Sequence, residues 1–266
     1  MPARRPPLAH LAVSVLGWVG FTAVTLWAVA FLAGVAVPRT VDGPHRVGAG
    51  AAVATDLALL LLFAAQHSVM ARRPVKAWLR QRVPASLERT TYVLATDVCL
   101  ALLLLLWQPF GGTVWDVHGV AAVALWSLFA AGWALAVVAT FAVDHLELVG
   151  LRQAGWGRRP GPRAAGEPVE PDELQTGGLY AVVRHPLMTG LVVGFWATPS
   201  MSVSHLVFAA ASTGYVAVGM AFEERDLRGT FGAAYDEYAA RVPALVPGLR
   251  TSRRVSRRAA RSVPTG

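Results

Sequence analysis

Four short stretches carry most of the reactive side chains in this sequence, and each lies where an apolar run begins or ends. "AAQHSVMARRPVK" holds Gln66 and His67, and "TFAVDHLELVGLRQ" holds Asp144, His145, Glu147, Arg152 and Gln153. "VVRHPLMTG" sets Arg184, His185 and Pro186 before Met188 and Gly190, and "FEERDLRGTFGAAYDEY" opens on Glu223, Glu224, Arg225 and Asp226. Two readings fit each stretch. Arginines at the ends of apolar helices snorkel to the interface and orient the chain, and a lone histidine there serves as a hydrogen bonder. Alternatively, the four stretches line one polar pocket. Paired carboxylates beside a membrane favour the second reading, because orientation alone would use arginine. Of the seven histidines, His67, His145 and His185 belong to these stretches. No HxxxH or HxxHH spacing puts two rings on one helix face, so no metal site is expected.

The elements that must position these residues follow from composition. The chain of 266 residues is 55% hydrophobic and 15% charged, with a mean hydropathy of +0.47. Soluble domains carry about a quarter charged residues, so the fold class expected is all-α, a polytopic membrane helical bundle. Apolar segments run from about Leu8 to Val37, Val47 to Met70, Thr91 to Trp107, Val117 to Val143, Leu187 to Thr198 and His205 to Phe222. Crossing a bilayer takes about 20 residues. The fifth segment is short, which leaves five to six transmembrane segments. The first exceeds a signal-peptide core of about 7–15 residues and is read as a retained span.

Charge gives orientation. With a cytoplasmic N-terminus, 22 of the 24 basic residues fall on cytoplasmic segments, and Arg39 and Arg46 alone fall outside. The positive-inside rule therefore places both termini, and all four polar stretches, on the cytoplasmic side of a cell's inner membrane. The net charge of +8 is then topology and attraction to membrane lipid rather than nucleic-acid binding. The arginine and alanine bias points to a bacterial source. One domain is expected over 1–266, with a disordered basic tail at about 250–266. The single Cys99 excludes a disulfide framework.

Inside the spans, Asp56 and Asp97 each cost about 2.5–3.5 kcal/mol to insert and need partners, with Thr55 and Thr96 nearby. The Pro- and Gly-rich segment Gly155–Gly178 reads as a flap over the polar end. There is no GxGxxG or P-loop, so any nucleotide-like cofactor must be held by the inner ends of the helices.

Taken together, "LYAVVRHPLMTGLVVGFWATPSMS" and "FEERDLRGTFGAAYDEYAARVPALVP" resemble the C-terminal half of the isoprenylcysteine carboxyl methyltransferase and phospholipid methyltransferase superfamily. The shared pattern is Arg184-His185-Pro186, a hairpin, Glu223-Glu224, then Phe231-Gly232 with Tyr235 and Tyr238. "QHSVMARRPVKAWLRQRVPASLERTTYVL", "LLWQPFGGTVW" and "TFAVDHLELVGLRQ" narrow the resemblance to the bacterial methanethiol S-methyltransferases and the NnrU-type membrane proteins. The resemblance covers Gln66 to Pro247.

It implies transfer of a methyl group from S-adenosyl-L-methionine to a small thiol. Arg184 and His185 then suit the cofactor's carboxylate or its ribose and adenine edges. Pro186 leaves a helix N-terminus open to anions, Gly190 allows close approach, and Glu223 and Glu224 suit the amino group and ribose hydroxyls. The nucleophile is a thiolate, so a base is needed: His145 or His67, with Arg152 favouring the anion. Gln66, Asp144, Gln153 and Met188 remain for the substrate. Met188 stands where the superfamily often has an aromatic residue, which leaves acceptor preference open. The rival readings on the same scaffold are a lipid or prenylcysteine methyltransferase, a sterol-type reductase, and a non-catalytic accessory protein.

Overall fold

The computed structural model describes residues 6–157 and 174–249. The basic tail and most of the expected flap lie outside the described residues. Among the described residues there are nine α-helices: α1 (Leu8–Ala33), α2 (Ala49–Met70), α3 (Arg73–Arg80), α4 (Glu88–Leu106), α5 (Gly119–Val143), α6 (His145–Leu148), α7 (Pro186–Trp196), α8 (Val203–Phe231) and α9 (Ala233–Arg241). Two short strands, β1 (Thr113–Asp116) and β2 (Ser200–Ser202), pair antiparallel, with Trp115 opposite Met201. Among the described residues, five stretches are long and apolar enough to cross a membrane: α1, α2, α4 with its preceding turn, α5 and α8.

The helix ends follow local chemistry. Gly34 ends α1 at φ 74, giving its N–H to Ala30, a conformation that costs glycine nothing. Pro186 starts α7, where its missing N–H has no helical partner to lose. The Ser202 side chain caps α8 by accepting from the His205 N–H. Helix α8 does not stop where hydropathy falls at Phe222 but continues to Phe231. Glutamate, arginine and leucine are all good helix formers, and Glu224 and Arg228 pair one turn apart at 3.1 Å.

The short fifth segment still carries the chain from one end of the bundle to the other. Eleven helical residues rise only about 16 Å. The Arg184 and His185 N–H groups bond to Pro243 and Ala244 at one end. At the other, Ala197–Pro199 runs on into β2, which lies against β1. The chain therefore traverses the bundle six times. Pro6 lies beside Gly155 and His10 hydrogen-bonds Ser86 at 2.7 Å, so both ends of the described chain sit at the same end as the polar stretches.

The deepest packing is in the opposite half, around Trp107 and Phe31, both fully buried, with Leu103, Leu104, Phe195 and Phe208. Trp107 donates to Ser204 at 2.9 Å and meets Phe208 edge-on. Asp42 clamps this end, accepting from the Ser202 N–H at 3.0 Å and contacting the His205 ring at 3.1 Å. Asp56 is fully buried; its Oδ1 accepts from the backbone N–H of Gln108, in the loop after α4, at 2.8 Å rather than from Thr55, and its Oδ2 has no protein partner. Asp97 packs on α1, its Oδ2 3.0 Å from where a Gly20 Cβ would stand.

Helices α5 and α7 meet almost backbone to backbone. A Cβ at Gly190 would lie 2.5 Å from the Ala136 nitrogen and the Gly132 oxygen, and one at Gly194 would lie 2.8 Å from the Trp133 ring nitrogen. The close approach that Gly190 permits here is that of α5. Small residues let membrane helices gain dispersion contacts that bulkier ones forbid.

Candidate functional site

Three polar groups gather at one end of the bundle. The densest joins α7, α8 and α9. Glu224, with a side chain 16% exposed, accepts from Arg184 at 2.5 and 3.1 Å, from His185 at 3.3 Å and from Arg228 at 3.1 Å. The other His185 nitrogen lies 3.5 Å from Glu223. Arg184 also donates to the backbone oxygens of Ala239 and Val242. At 8% exposure its guanidinium ties α8 and the end of α9 to the start of α7. Below it, Gly232 turns the chain at φ 55. That turn aims Tyr235 and Tyr238 inward, where Tyr238 donates to the Tyr180 oxygen at 2.6 Å. Burial and the Glu224 charge push the Tyr235 phenol up to about 12, so it stays protonated.

Burial alone would favour a neutral His185, but the Glu223 and Glu224 carboxylates outweigh it and raise its pKa to about 9. An unfolded histidine titrates near 6.5. The stabilisation from this contact is thus fully present below about pH 6.5 and is lost as pH rises through about 9. Thermal unfolding in detergent should show a melting temperature that falls across this interval. Asparagine at position 185 should flatten that slope.

The second group is the turn after α5. Asp144 sits at φ 121, a conformation that costs a non-glycine residue energy and needs support from its surroundings. It receives that support by accepting from Arg152 and from the Glu147 N–H, while Arg152 also donates to the Gly157 oxygen. Gln153 donates to the Glu147 oxygen at 3.2 Å, and its own side-chain oxygen is buried with no protein partner. The His145 ring stacks on Phe141 at 4.5 Å. Thr140 gives its hydroxyl proton to Val137, so it accepts from His145 Nδ1 at 2.9 Å. The Trp18 indole N–H donates to Nε2 at 2.9 Å. Both ring nitrogens are occupied. Burial lowers the His145 pKa despite the opposing Asp144 charge.

The third group is on α2 and α4. His67 stacks on Phe63 at 5.5 Å and faces the rings of Tyr92 and Tyr215. The Tyr92 hydroxyl lies 2.8 Å from its Nε2. Arg89, one turn before Tyr92, lies over that ring at 5.1 Å and donates to the Leu148 oxygen at 2.6 Å, which links this group to the second. Gln66 donates to Met70, leaving its side-chain oxygen buried without a partner.

Arg184, His185, Glu223 and Glu224 are thus in mutual contact, and Asp144 is in contact with Arg152. His67, His145 and His185 keep separate partners. Met188 is partly buried on the first turn of α7. Tyr92, Arg89, Arg228 and Trp18 take part without having been singled out by sequence. For Arg89 and Tyr92 the available signal was an arginine and a tyrosine one helical turn apart at the mouth of a span. Among the described residues no cluster of three or more His, Cys, Asp or Glu could hold a metal. A cavity of about 170 Å³ lined by Asp42, His45 and Ser202 lies at the other end, away from all three groups.

A family model described as "NnrU protein" matches residues 57–235. "Methanethiol S-methyltransferase 2" of Bradyrhizobium diazoefficiens is 41% identical over 239 residues, covering 90% of this chain and 90% of that protein. "Methanethiol S-methyltransferase" of Mycobacterium tuberculosis is 46% identical over 221 residues, 83% of this chain and 88% of that protein. "Nurim" of Mus musculus is 31% identical over 186 residues, 67% of this chain and 69% of that protein. No solved structure matches.

Proposed function

The chain belongs to the NnrU protein family, and from that premise we propose that it methylates a small thiol with S-adenosylmethionine, converting methanethiol to dimethyl sulfide. The observation that carries the reading is likeness over nine-tenths of the chain to a methanethiol S-methyltransferase. The polar end supplies the fitting donor set. We place that end on the cytoplasmic face of a bacterial inner membrane, where 22 of 24 basic residues put it, and take the chain as one domain.

When bound, the cofactor supplies an electrophilic methyl group on a sulfonium. The buried, unpartnered oxygens of Gln66 and Gln153 suit its amino and hydroxyl donors, since a buried acceptor left unmatched costs about 1–3 kcal/mol. Glu223, with a half-exposed side chain, can turn its carboxylate to the amino group. His185, held protonated, is a donor for the carboxylate, and Arg184 keeps Glu224 and α9 in register behind it. Arg152 and Asp144 shape the turn that covers the acceptor, with Met188 on the facing helix. Of the two candidate bases, His67 is preferred, because the lone pair of His145 faces an indole N–H that can only donate.

Headspace gas chromatography over membranes supplied with S-adenosylmethionine and methanethiol tests this. Dimethyl sulfide should accumulate with the wild type. Glu223→Gln should weaken binding of S-adenosylhomocysteine about 10- to 100-fold, as for loss of one charged hydrogen bond. It should lower the melting temperature less than Glu224→Gln does, since Glu224 keeps the Arg184 and His185 contacts. Folded wild-type protein that yields no dimethyl sulfide would overturn the reading.

A further inference from the structure

We propose that Tyr92 takes the proton of the acceptor thiol and passes its own hydroxyl proton to His67. The inference rests on the thiol-methylation reading and deepens it. The two histidines considered as base differ in what stands at the lone pair. At His145 it is an indole N–H, which has no acceptor capacity and ends any proton path. At His67 it is a phenol, which donates and accepts at once.

The hydrogen bonds set the direction of the path. Thr96 gives its hydroxyl proton to the Tyr92 backbone oxygen at 2.9 Å, so toward His67 it can only accept. His67 Nδ1, at 3.4 Å from Thr96, is then the protonated nitrogen. Nε2 is left to accept from the Tyr92 hydroxyl, which lies 2.8 Å from it and 3.0 Å from Nδ1. The phenol oxygen keeps lone pairs for a second group. The charged and titratable groups around this pair are Arg89, Tyr215, Glu147 and, beside Arg89 on α4, Glu88. Arg89, on α4, lies over the Tyr92 ring, Tyr215 faces it from α8, and Glu147 acts through Arg89 from α6. The guanidinium is the near charge: it favours a thiolate at this spot and opposes a lasting imidazolium on His67, so the proton has to move on to solvent.

The balance is simple. The thiol S–H bond breaks with its electron pair staying on sulfur, and the proton goes to the Tyr92 oxygen as that oxygen's own proton moves to His67 Nε2. The sulfur pair forms the new S–C bond, and the bond from the methyl carbon to the donor sulfur breaks, leaving a neutral thioether. His67 then releases the proton to water.

Tyr92→Phe keeps the ring, the Phe63–His67 stack and the Arg89 contact but removes the relay atom. In the full-length protein in nanodiscs, kcat for methanethiol should fall on the order of 10²–10³-fold at pH 7. The deficit should shrink steadily as pH approaches the thiol pKa, and with 2,2,2-trifluoroethanethiol, a more acidic acceptor. S-adenosylhomocysteine affinity and melting temperature should stay at wild-type values. A deficit equal at every pH and with both thiols would make Tyr92 a packing residue and overturn the relay, as would loss of affinity in step with kcat. Failure of the wild type to methylate either thiol would instead bring down the functional reading, and the relay with it.

Discussion

Glu224→Ala should cost about 3–5 kcal/mol of stability and eliminate S-adenosylhomocysteine binding. One carboxylate here serves Arg184, His185 and Arg228 together, and the Arg184 and His185 side chains are only 7% and 4% exposed. Removing it leaves the buried Arg184 guanidinium facing no anion and His185 only the more distant Glu223, a far larger penalty than an intact pair is worth in stabilisation. The damage spreads along the chain, because Arg184 also holds the carbonyls of Ala239 and Val242. Without Glu224 the guanidinium is free to leave those carbonyls, and the segment after α9 keeps only its backbone bonds and the Thr189 contact to the start of α7. Glu224→Gln keeps the size and one acceptor oxygen and should lose less. Melting in detergent, with ligand binding measured on the same samples, separates the two variants. A loss below about 1 kcal/mol for the alanine variant would show that Glu224 is solvated and the cluster loose.

Gly190→Ala should be nearly as damaging, although it adds one methyl group inside an apolar helix. The new carbon would stand 2.5 Å from two backbone atoms of α5, and backbone in a packed helix cannot rotate aside as a side chain can. Overpacking costs about 1–3 kcal/mol even where side chains yield, so α7 must separate from α5 along its length. The internal control is Gly214→Ala on α8, where nothing lies within 4 Å of the added carbon. Size-exclusion profiles after solubilisation should show a folded peak for Gly214→Ala and an aggregated one for Gly190→Ala. Equal profiles would mean that the α5–α7 contact is not tight.

The spans were legible in the sequence because their signal is local. Runs of leucine, alanine and valine announce α1, α2, α4 and α5 within a few residues, and Arg184-His185 and Glu223-Glu224 stood out as charges beside apolar helices. What stayed hidden depends on residues far away in the chain. The traverse by α7 depends on β2 meeting β1, whose strands are short and carry no strong alternation. The inward use of Arg184 depends on two backbone carbonyls, which no sequence pattern announces. His145 looked like a base because its partner, Trp18, lies 127 positions earlier. Tyr92 drew no notice because a tyrosine at the mouth of a membrane helix reads as an interfacial anchor.

The ties at the two ends bear on how the chain is made. Trp18 reaches His145, Asp42 reaches His205 across 163 positions, and β1 waits for β2. A ribosome feeding spans into the bilayer in order delivers one partner of each tie long before the other, and closing such long loops is slow. The spans α1, α2, α4 and α5 are all made before β2 and α8 emerge, so the Asp42–His205 and β1–β2 ties can close only at the end of synthesis. A chain cut short before Val203 would lack the His205 partner of Asp42 and the Ser204 and Phe208 partners of Trp107.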